Sequence, residues 1–361
     1  MVKFGIQFGL NVARLGLTED QILTSCVLAD RTGYESIWYM DHSNVPQWNH
    51  AIVNDPWVML AAIASVTNKV ELGTCVTDAV RRHPSNIALA TITLDRVSHG
   101  RGTLGIGAGE AQNIKEFKIQ WDKPVARFAE QLQVIKLLFG SSPEHRVSFN
   151  GEFYQLEEAC LQAKSIRRPH PPIYMAAGAP KTLALCGKYG DGWIPIGYTP
   201  ELFEVHAKAI KDSMKENGRD GKDFQYGVDI DVYFSDDAEE AWVKMKNAVK
   251  VSLFKPEILK VHNIPDVQGF DFKKYFTEYS MSNQEWIVKM REAAQTIPDK
   301  VARSSIGMGT PDDIIPVFEK FMKAGVNHFI VRFWGSGYFG SLDKFASTVI
   351  PYFKELDNPR K

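Results

Sequence analysis

A chain of 361 residues in which 42 Lys and Arg nearly balance 43 Asp and Glu has no global field to draw it to nucleic acid or to an anionic membrane surface. Hydrophobic residues make up 44% and charged residues 24%, enough material for a large core, and no apolar run approaches the roughly 18 to 20 residues of an integral membrane segment. The four cysteines, Cys26, Cys75, Cys160 and Cys186, form no C-x-x-C or Cys/His cluster, so no metal site is expected. The start MVKFGIQFGLN lacks the layout of a signal peptide, and a cytoplasmic location is the expectation.

In chain order, short apolar runs at 3–8, 36–40, 70–74, 102–106, 173–177, 192–196, 227–233 and 328–332 read as strands. Amphipathic stretches separate them, the alternation of βα units around a parallel sheet. The first such stretch, TEDQILTSCVLADRTG, has Thr18 as an N-cap candidate, Gln21 three residues on and Gly33 at its end. Eight strands, each followed by a helix, predict an α/β fold of the (β/α)8 TIM-barrel type, with 1–361 as a single domain. A doubly wound sheet is the alternative. Two segments exceed the scheme: a hairpin at 147–156 turning at Asn150-Gly151, and a helical insertion at about 253–300. The insertion carries Phe254, Phe270, Phe272, Tyr275, Phe276, Tyr279 and Trp286, and reads as a lid, a partner surface or an extra packing layer.

Barrel enzymes place reacting groups where strands end, so the polar residues there carry the functional signal. Strand two ends in YMDHSN, giving Asp41 and His42. Strand three ends in GTCVTDAVRR, giving Cys75, Val76, Thr77 and Asp78. Strand four ends in GIGAGEAQN, giving Gly107, Ala108, Gly109, Glu110 and Asn113, and strand five in AAGAPK, giving Ala176, Ala177, Gly178 and Ala179. The G-x-G-x-G spacing from Gly105 differs from the dinucleotide fingerprint, follows the fourth strand and lacks the acidic residue that would hold a ribose. Its glycines permit backbone to approach a flat ligand while Glu110 projects from the same loop. His42 and Glu110 form a candidate acid–base pair.

Other residues admit two readings. The helix opening at Pro180 offers N–H groups to a phosphate, or is an ordinary connection. Arg81-Arg82 holds an anion or forms a solvated rim. Trp48 and Trp193 wall a pocket or belong to the core, whereas Trp57 reads as core. His83, His206 and His328 have no partner visible in the sequence and read as structural.

These residues resemble the luciferase-like barrel superfamily, and within it the oxidoreductases that use the deazaflavin coenzyme F420. The resemblance spans nearly the whole chain, through KFGIQF, MDHSN, LGTCVTDAVRRHPS, GRGTLGIGAGEAQN, PPIYMAAGAPKTL, YGDGWIPI and GTPDDII. CVTDAVRRHPS, WDKPVARFAE and the aromatic insertion look most like ketoreductases acting on phthiodiolone-type lipids. Sugar-phosphate and secondary-alcohol dehydrogenases and methylenetetrahydromethanopterin reductases are more distant matches. Pterin reductases of this kind tend to carry an acid where this chain has Gln7.

The resemblance implies that Asp41 and His42 form the family's Asp-His pair, His42 exchanging a proton with the substrate oxygen. Cys75-Val76 would form a bulged cis-peptide segment behind the deazaflavin, with Thr77 next to it. Glu110, Asn113 and the glycine stretch Gly107, Ala108, Gly109 would attend the ring, and Ala176 to Ala179 the phosphate tail. Trp48, Trp193 and Arg303 are the expected substrate contacts, although Trp48 follows His42 at a longer spacing than in the sugar-phosphate enzymes.

The expectation is hydride transfer between coenzyme F420 and a small carbonyl or alcohol substrate, an apolar one being suggested by the aromatic insertion, in a homodimer or higher homo-oligomer. The alternatives are a methylenetetrahydromethanopterin reductase, an FMN-dependent luciferase-like monooxygenase, and a non-catalytic flavin- or deazaflavin-binding protein.

Overall fold

A computed structural model describes residues 2–45, 51–272, 283–335 and 337–357. Its strands are β1 (Lys3–Phe8), β2 (Ser36–Tyr39), β3 (Glu71–Thr74), β4 (Thr77–Asp78), β5 (Gly102–Gly107), β6 (Val147–Asn150), β7 (Gln155–Ala159), β8 (Ile173–Met175), β9 (Gly192–Trp193), β10 (Gln225–Phe234), β11 (Ile306–Gly309) and β12 (His328–Phe333). Parallel pairing runs β1-β2-β3-β5-β8-β9-β10-β12 and returns to β1, a closed ring of eight. These are the eight strands expected from the sequence. Helices cover the ring's outer face, which explains why its strands are almost continuously apolar and buried.

Two pieces of sheet lie outside that ring. β10 is ten residues long; it pairs with β9 at Gln225 and Tyr226, with β12 from Gly227 to Val232, and with β11 from Asp231 to Phe234. β11 is therefore an extra strand on the upper end of β10. Its sequence, IGMG, is half glycine and gives too short an apolar run to announce a strand. The two-residue β4 pairs with β5.

After a short helix at Leu10–Leu15, the helix Glu19–Arg31 has the expected capping box between Thr18 and Gln21. The hairpin β6–β7 also forms, with a wider turn than an Asn-Gly pair would make, because Asn150 pairs with Gln155. The Glu130 carboxylate fixes that turn by accepting the N–H groups of Glu152 (2.8 Å), Phe153 (2.9 Å) and Tyr154 (3.2 Å). In the insertion the described residues form helices Pro256–Val261, Gln284–Ala294 and Asp299–Arg303. Phe254, Phe270, Phe272 and Trp286 pack into one cluster with ring centroids 4.8–4.9 Å apart, whereas Tyr275, Phe276 and Tyr279 lie outside the described residues. No described helix is long and apolar enough to cross a membrane.

A second small core fills the barrel from inside. Trp38, Tyr174, Ile194 and Ile330 pack together, with Cys75 against them. The Trp38 indole donates to Ser36 Oγ (2.8 Å), which also meets His328 Nε2 at 2.7 Å. A side chain at Gly73 would collide with the Trp38 ring, so a glycine on β3 makes room for a tryptophan on β2. Since Cys75 and Ile194 also line the cavity described below, this plug is its floor.

Burial pushes the fully enclosed His328 down to about 4. The unfolded chain takes up a proton near pH 6.5 that the folded chain refuses. The stability this residue leaves intact above pH 6.5 should be lost as pH falls toward 4, by up to about 1.4 kcal/mol per pH unit. Urea denaturation between pH 7 and 4.5 checks this: His328→Asn should flatten the dependence, and an unchanged slope would refute it.

Candidate functional site

The ring's C-terminal ends surround a cavity of about 800 Å3. The loop after β2 supplies Asp41 and His42. Asp41 is buried and paired with Arg81 at 2.9 Å. The same guanidinium is paired with Asp78 and donates to Ser43 Oγ (2.7 Å). Asp78 in turn accepts the N–H groups of Val80 (2.9 Å) and Arg81 (2.7 Å), an Asx turn that aims the arginine. Arg81 is thus neither a solvated rim nor a free anion hook, but a clamp between the β2 and β3 loops.

His42 is half-buried, with its Nδ1 3.0 Å from the Gln112 side-chain amide and 3.2 Å from that of Asn113. Asn113 Oδ1 accepts the Ser43 N–H (2.9 Å), which turns the NH2 of Asn113 toward the ring. The Gln112 NH2 also donates to Glu110 (2.9 Å). Two amide donors on Nδ1 make it an acceptor, so the imidazole hydrogen resides on Nε2. His42 and the exposed Glu110 are therefore joined through Gln112. The sequence pattern alone did not single out Gln112; its signal is a place in the first turn of the short helix Ala111–Ile114, just after Glu110.

The three glycines of GIGAGEAQN serve two purposes. A Cβ on Gly105 would lie 1.8 Å from the Thr74 carbonyl oxygen, and one on Gly107 3.1 Å from Val76 Cγ2. Gly109 has φ 98°, in the left-handed region. The first two let β5 press against the segment after β3, where the Cys75–Val76 peptide is cis. The third turns the chain so that Glu110 follows at the mouth. None of these roles cradles a phosphate.

Ala176, Ala177, Gly178 and Ala179 line the neighbouring wall, where the Ala176 N–H donates to the Ile106 carbonyl (3.0 Å). Thr182 Oγ1 accepts the N–H groups of Gly178 (3.3 Å) and Ala179 (3.1 Å), so the opening of helix Pro180–Tyr189 is capped from within. Beside it the Tyr198 hydroxyl meets His206 Nδ1 at 2.9 Å. Burial, reinforced by the charge of Lys255, pushes His206 down to about 4. It lines the cavity, contrary to its structural reading from sequence. Lys255, at the start of the insertion, donates to the Ile196 and Gly197 carbonyls and stands 5.1 Å over the Tyr198 ring; burial pushes it down to about 8.

Of the expected site residues, Asp41, His42, Cys75, Val76, Thr77, Gly107, Ala108, Gly109, Glu110, Asn113 and Ala176 to Ala179 all line this one cavity. Two do not. Trp193 is wholly buried behind the wall: its indole donates to the Ala177 carbonyl (2.9 Å) and its ring packs on Phe203 at 4.7 Å, so it props the loop instead of touching a substrate. Arg303 lies away from the cavity, paired with Glu239 (2.6 Å) and 4.6 Å over Trp242. Trp48 lies outside the described residues.

Six cavity-lining side chains carry buried polar atoms without a hydrogen-bond partner: Gln7 Oε1, Asp41 Oδ2, Thr77 Oγ1, Gln112 Oε1, Trp121 Nε1 and Asp229 Oδ1. Unpaired buried groups are costly, and their gathering around one space fits a ligand with several hydrogen-bonding edges. Among the described residues no cluster of His, Cys, Asp and Glu could hold a metal. Together, a shelf at Val76 and glycine backbone with polar atoms around it suits a flat, polar heterocycle such as a deazaflavin or flavin.

Residues 9–328 match the family model described as luciferase-like monooxygenase, and the chain belongs to that family. It is 30% identical to a phthiodiolone/phenolphthiodiolone dimycocerosates ketoreductase of Mycobacterium tuberculosis, over 85% of this chain and 81% of the relative. It is 29% identical to an F420-dependent glucose-6-phosphate dehydrogenase of Amycolatopsis mediterranei, over 91% of this chain and 93% of the relative. A solved F420-dependent secondary alcohol dehydrogenase in complex with an F420-acetone adduct superposes with TM-score 0.80 at 22% identity, covering 96% of this chain and 98% of that one.

The left-handed turn at Gly109 is the simplest part of the site to probe. In Gly109→Ala the new methyl would sit 2.7 Å from Ile114 Cδ1 on backbone that disfavours it. A loss of about 1–3 kcal/mol is expected in chemical denaturation, and unchanged stability would contradict the geometry.

Proposed function

We propose that this member of the luciferase-like family is a coenzyme F420-dependent oxidoreductase that reduces a ketone, or oxidises the corresponding alcohol. The observation that carries the reading is the chain Glu110–Gln112–His42 at the edge of a cavity backed by Val76 and the glycine strand. Relatives that cover most of this chain and are named as a ketoreductase and an F420-dependent dehydrogenase support it.

When bound, the deazaflavin supplies or accepts the hydride. The chain's own residues do the rest. Val76, Thr77, Gly107, Ala108 and Gly109 would receive the ring, and Ala176 to Ala179 the tail. Arg81 holds Asp41, and with it the loop that carries His42. With Nδ1 occupied by two amides, His42 directs Nε2–H to the substrate oxygen, where negative charge grows as a carbonyl is reduced. Gln112 keeps the ring in that tautomer and ties it to the charge of Glu110. Leu10, Met40 and Phe272 give the cavity an apolar flank for the substrate's hydrocarbon part. Four free cysteines accord with the cytoplasmic location expected from sequence.

Purified protein given reduced coenzyme F420 and a panel of ketones should restore the fluorescence of the oxidised cofactor. Binding of FMN with oxygen uptake instead would defeat the reading. His42→Ala should lower turnover by roughly 10²–10⁴-fold while the cofactor still binds. Gln112→Leu, which removes the link to Glu110 without emptying the space, should lower turnover by about 10-fold and alter the pH–rate profile; a wild-type profile would remove Gln112 from the mechanism.

A further inference from the structure

A charged cluster on the cavity floor has no part in the function above. Asp229 and Asp231 lie on β10 and Arg332 on the adjacent β12; Asp229 and Arg332 are each 5% exposed, and both line the cavity with Gln7 and Cys75. The two carboxylates are not equivalent. Asp231 Oδ1 accepts hydrogen bonds from Arg332 Nε (2.8 Å) and from the Trp334 indole (2.6 Å). Asp229 Oδ1 is 3.2 Å from the same Nε but has no hydrogen-bond partner. Among the described residues Arg332 donates its side-chain hydrogen bond from Nε, which leaves its two terminal nitrogens to the cavity.

A purely structural ion pair tying β10 to β12 would require only Asp231. Asp229 adds a second carboxyl whose Oδ1 has no hydrogen-bond partner, beside a cation with unused donors, at the bottom of a ligand-sized space. An alkyl group placed there would leave Asp229 Oδ1 and the terminal nitrogens of Arg332 without hydrogen bonds. A hydroxyl oxygen can accept from the guanidinium and share its hydrogen with the carboxyl, which satisfies both.

We propose that Asp229 and Arg332 form a polar subsite on the cavity floor that receives an ionisable, phenol-like hydroxyl of the bound ligand, with one proton held between that oxygen and the Asp229 carboxyl. The proposal rests on the deazaflavin reading of the cavity. Two sources offer this chemistry: the ring hydroxyl that a deazaflavin of the F420 type carries where FMN has a methyl group, or a phenolic hydroxyl on the substrate. Asp229 faces Arg332 from β12, Asp231 from its own strand, the Gln7 amide from β1 and the Cys75 thiol after β3. Burial pushes the Asp229 carboxyl up to about 7 in spite of the arginine, within range of a hydroxyl that ionises near neutrality.

The test uses the full-length protein, oxidised coenzyme F420, FMN, and the ketone pair 4-hydroxyacetophenone and acetophenone. Arg332→Lys keeps a charge beside Asp231 but loses the fork of donors; Asp229→Asn keeps the shape and removes the carboxyl. If the ring is the source, Arg332→Lys should weaken F420 binding at least 10-fold and FMN binding by less than 3-fold. Asp229→Asn should then move the absorbance-detected ionisation of the bound ring hydroxyl at least one pH unit lower, because the arginine's charge is shared with Asp231 alone and no second carboxyl lies beside the hydroxyl. If the substrate is the source, F420 binding and its spectrum stay as in wild type, while the preference in kcat/KM for 4-hydroxyacetophenone over acetophenone falls at least 10-fold. Should Arg332→Lys fail to fold, the spectral titration and the ketone preference of Asp229→Asn decide alone. Wild-type affinity, spectrum and ketone preference in the folded variants would overturn the subsite and leave the F420 reading standing. A wild-type chain that does not bind F420 would overturn the function itself.

Discussion

The site depends on a backbone meeting a backbone. Gly105 lies so close to Thr74 that any side chain there would overlap the carbonyl oxygen, and the contact is tightened by Thr74 Oγ1, which donates to the Gly105 carbonyl (2.7 Å) and accepts its N–H (3.1 Å). Because β5 and the end of β3 are locked together this way, the segment after β3 has little room to lie flat. It bulges at Cys75–Val76 and rejoins β5 as the short β4. Val76 then stands against Gly105 and Gly107, with side-chain-free backbone on one side and the open cavity on the other. A shelf of this kind suits a planar ring because it is apolar, rigid and built from strand ends.

Electrostatically, the cavity is a balance of local pairs. Asp41, Arg81 and Asp78 form one triad at the rim, and Asp229, Arg332 and Asp231 another at the floor. Each sets two carboxylates against one guanidinium. Buried charges of this kind persist when every lone pair is used, and breaking one partner away is strongly unfavourable. The rim triad meets most of that demand through the Asx turn at Asp78 and the Ser43 hydroxyl. Each triad still leaves one carboxyl oxygen without a hydrogen bond, Asp41 Oδ2 at the rim and Asp229 Oδ1 at the floor, and both oxygens belong to residues that line the cavity.

Much of this was legible in the sequence, and what was not has identifiable causes. All eight ring strands were readable because parallel strands buried on both faces appear as apolar runs. β11 was not, since two of its four residues are glycine. The cavity wall was readable wherever a polar residue follows a strand, as with Asp41, His42 and Glu110. Residues that face inward from the middle of a strand gave no such signal: Gln7 in KFGIQF and Asp229 in GVDIDVYF look like ordinary alternation. Trp193 was misplaced for a related reason, since a strand of two residues has no periodicity from which to tell inside from outside. Arg303 sits on a helix whose outward face the sequence could not orient, and there its charge is taken by Glu239.

The insertion joins the barrel at the cavity itself. Lys255 reaches back to the Ile196 and Gly197 carbonyls, and His262 Nε2 meets Thr199 Oγ1 at 2.8 Å, so the segment after β9 and the first helix of the insertion are pinned together at two points. Gly197 permits the approach, for its φ is 65° and a side chain there would strike Ser252. Phe272, packed on Phe254 and Phe270, then reaches the cavity from the same side. Part of the apolar flank is therefore supplied by an added segment, while Asp41, His42, Glu110 and Gln112 come from the strand ends and loops of the barrel. On the proposed function, changes confined to the insertion would alter which hydrocarbon is accepted and leave the proton transfer assigned to His42 in place, because the two depend on different parts of the chain.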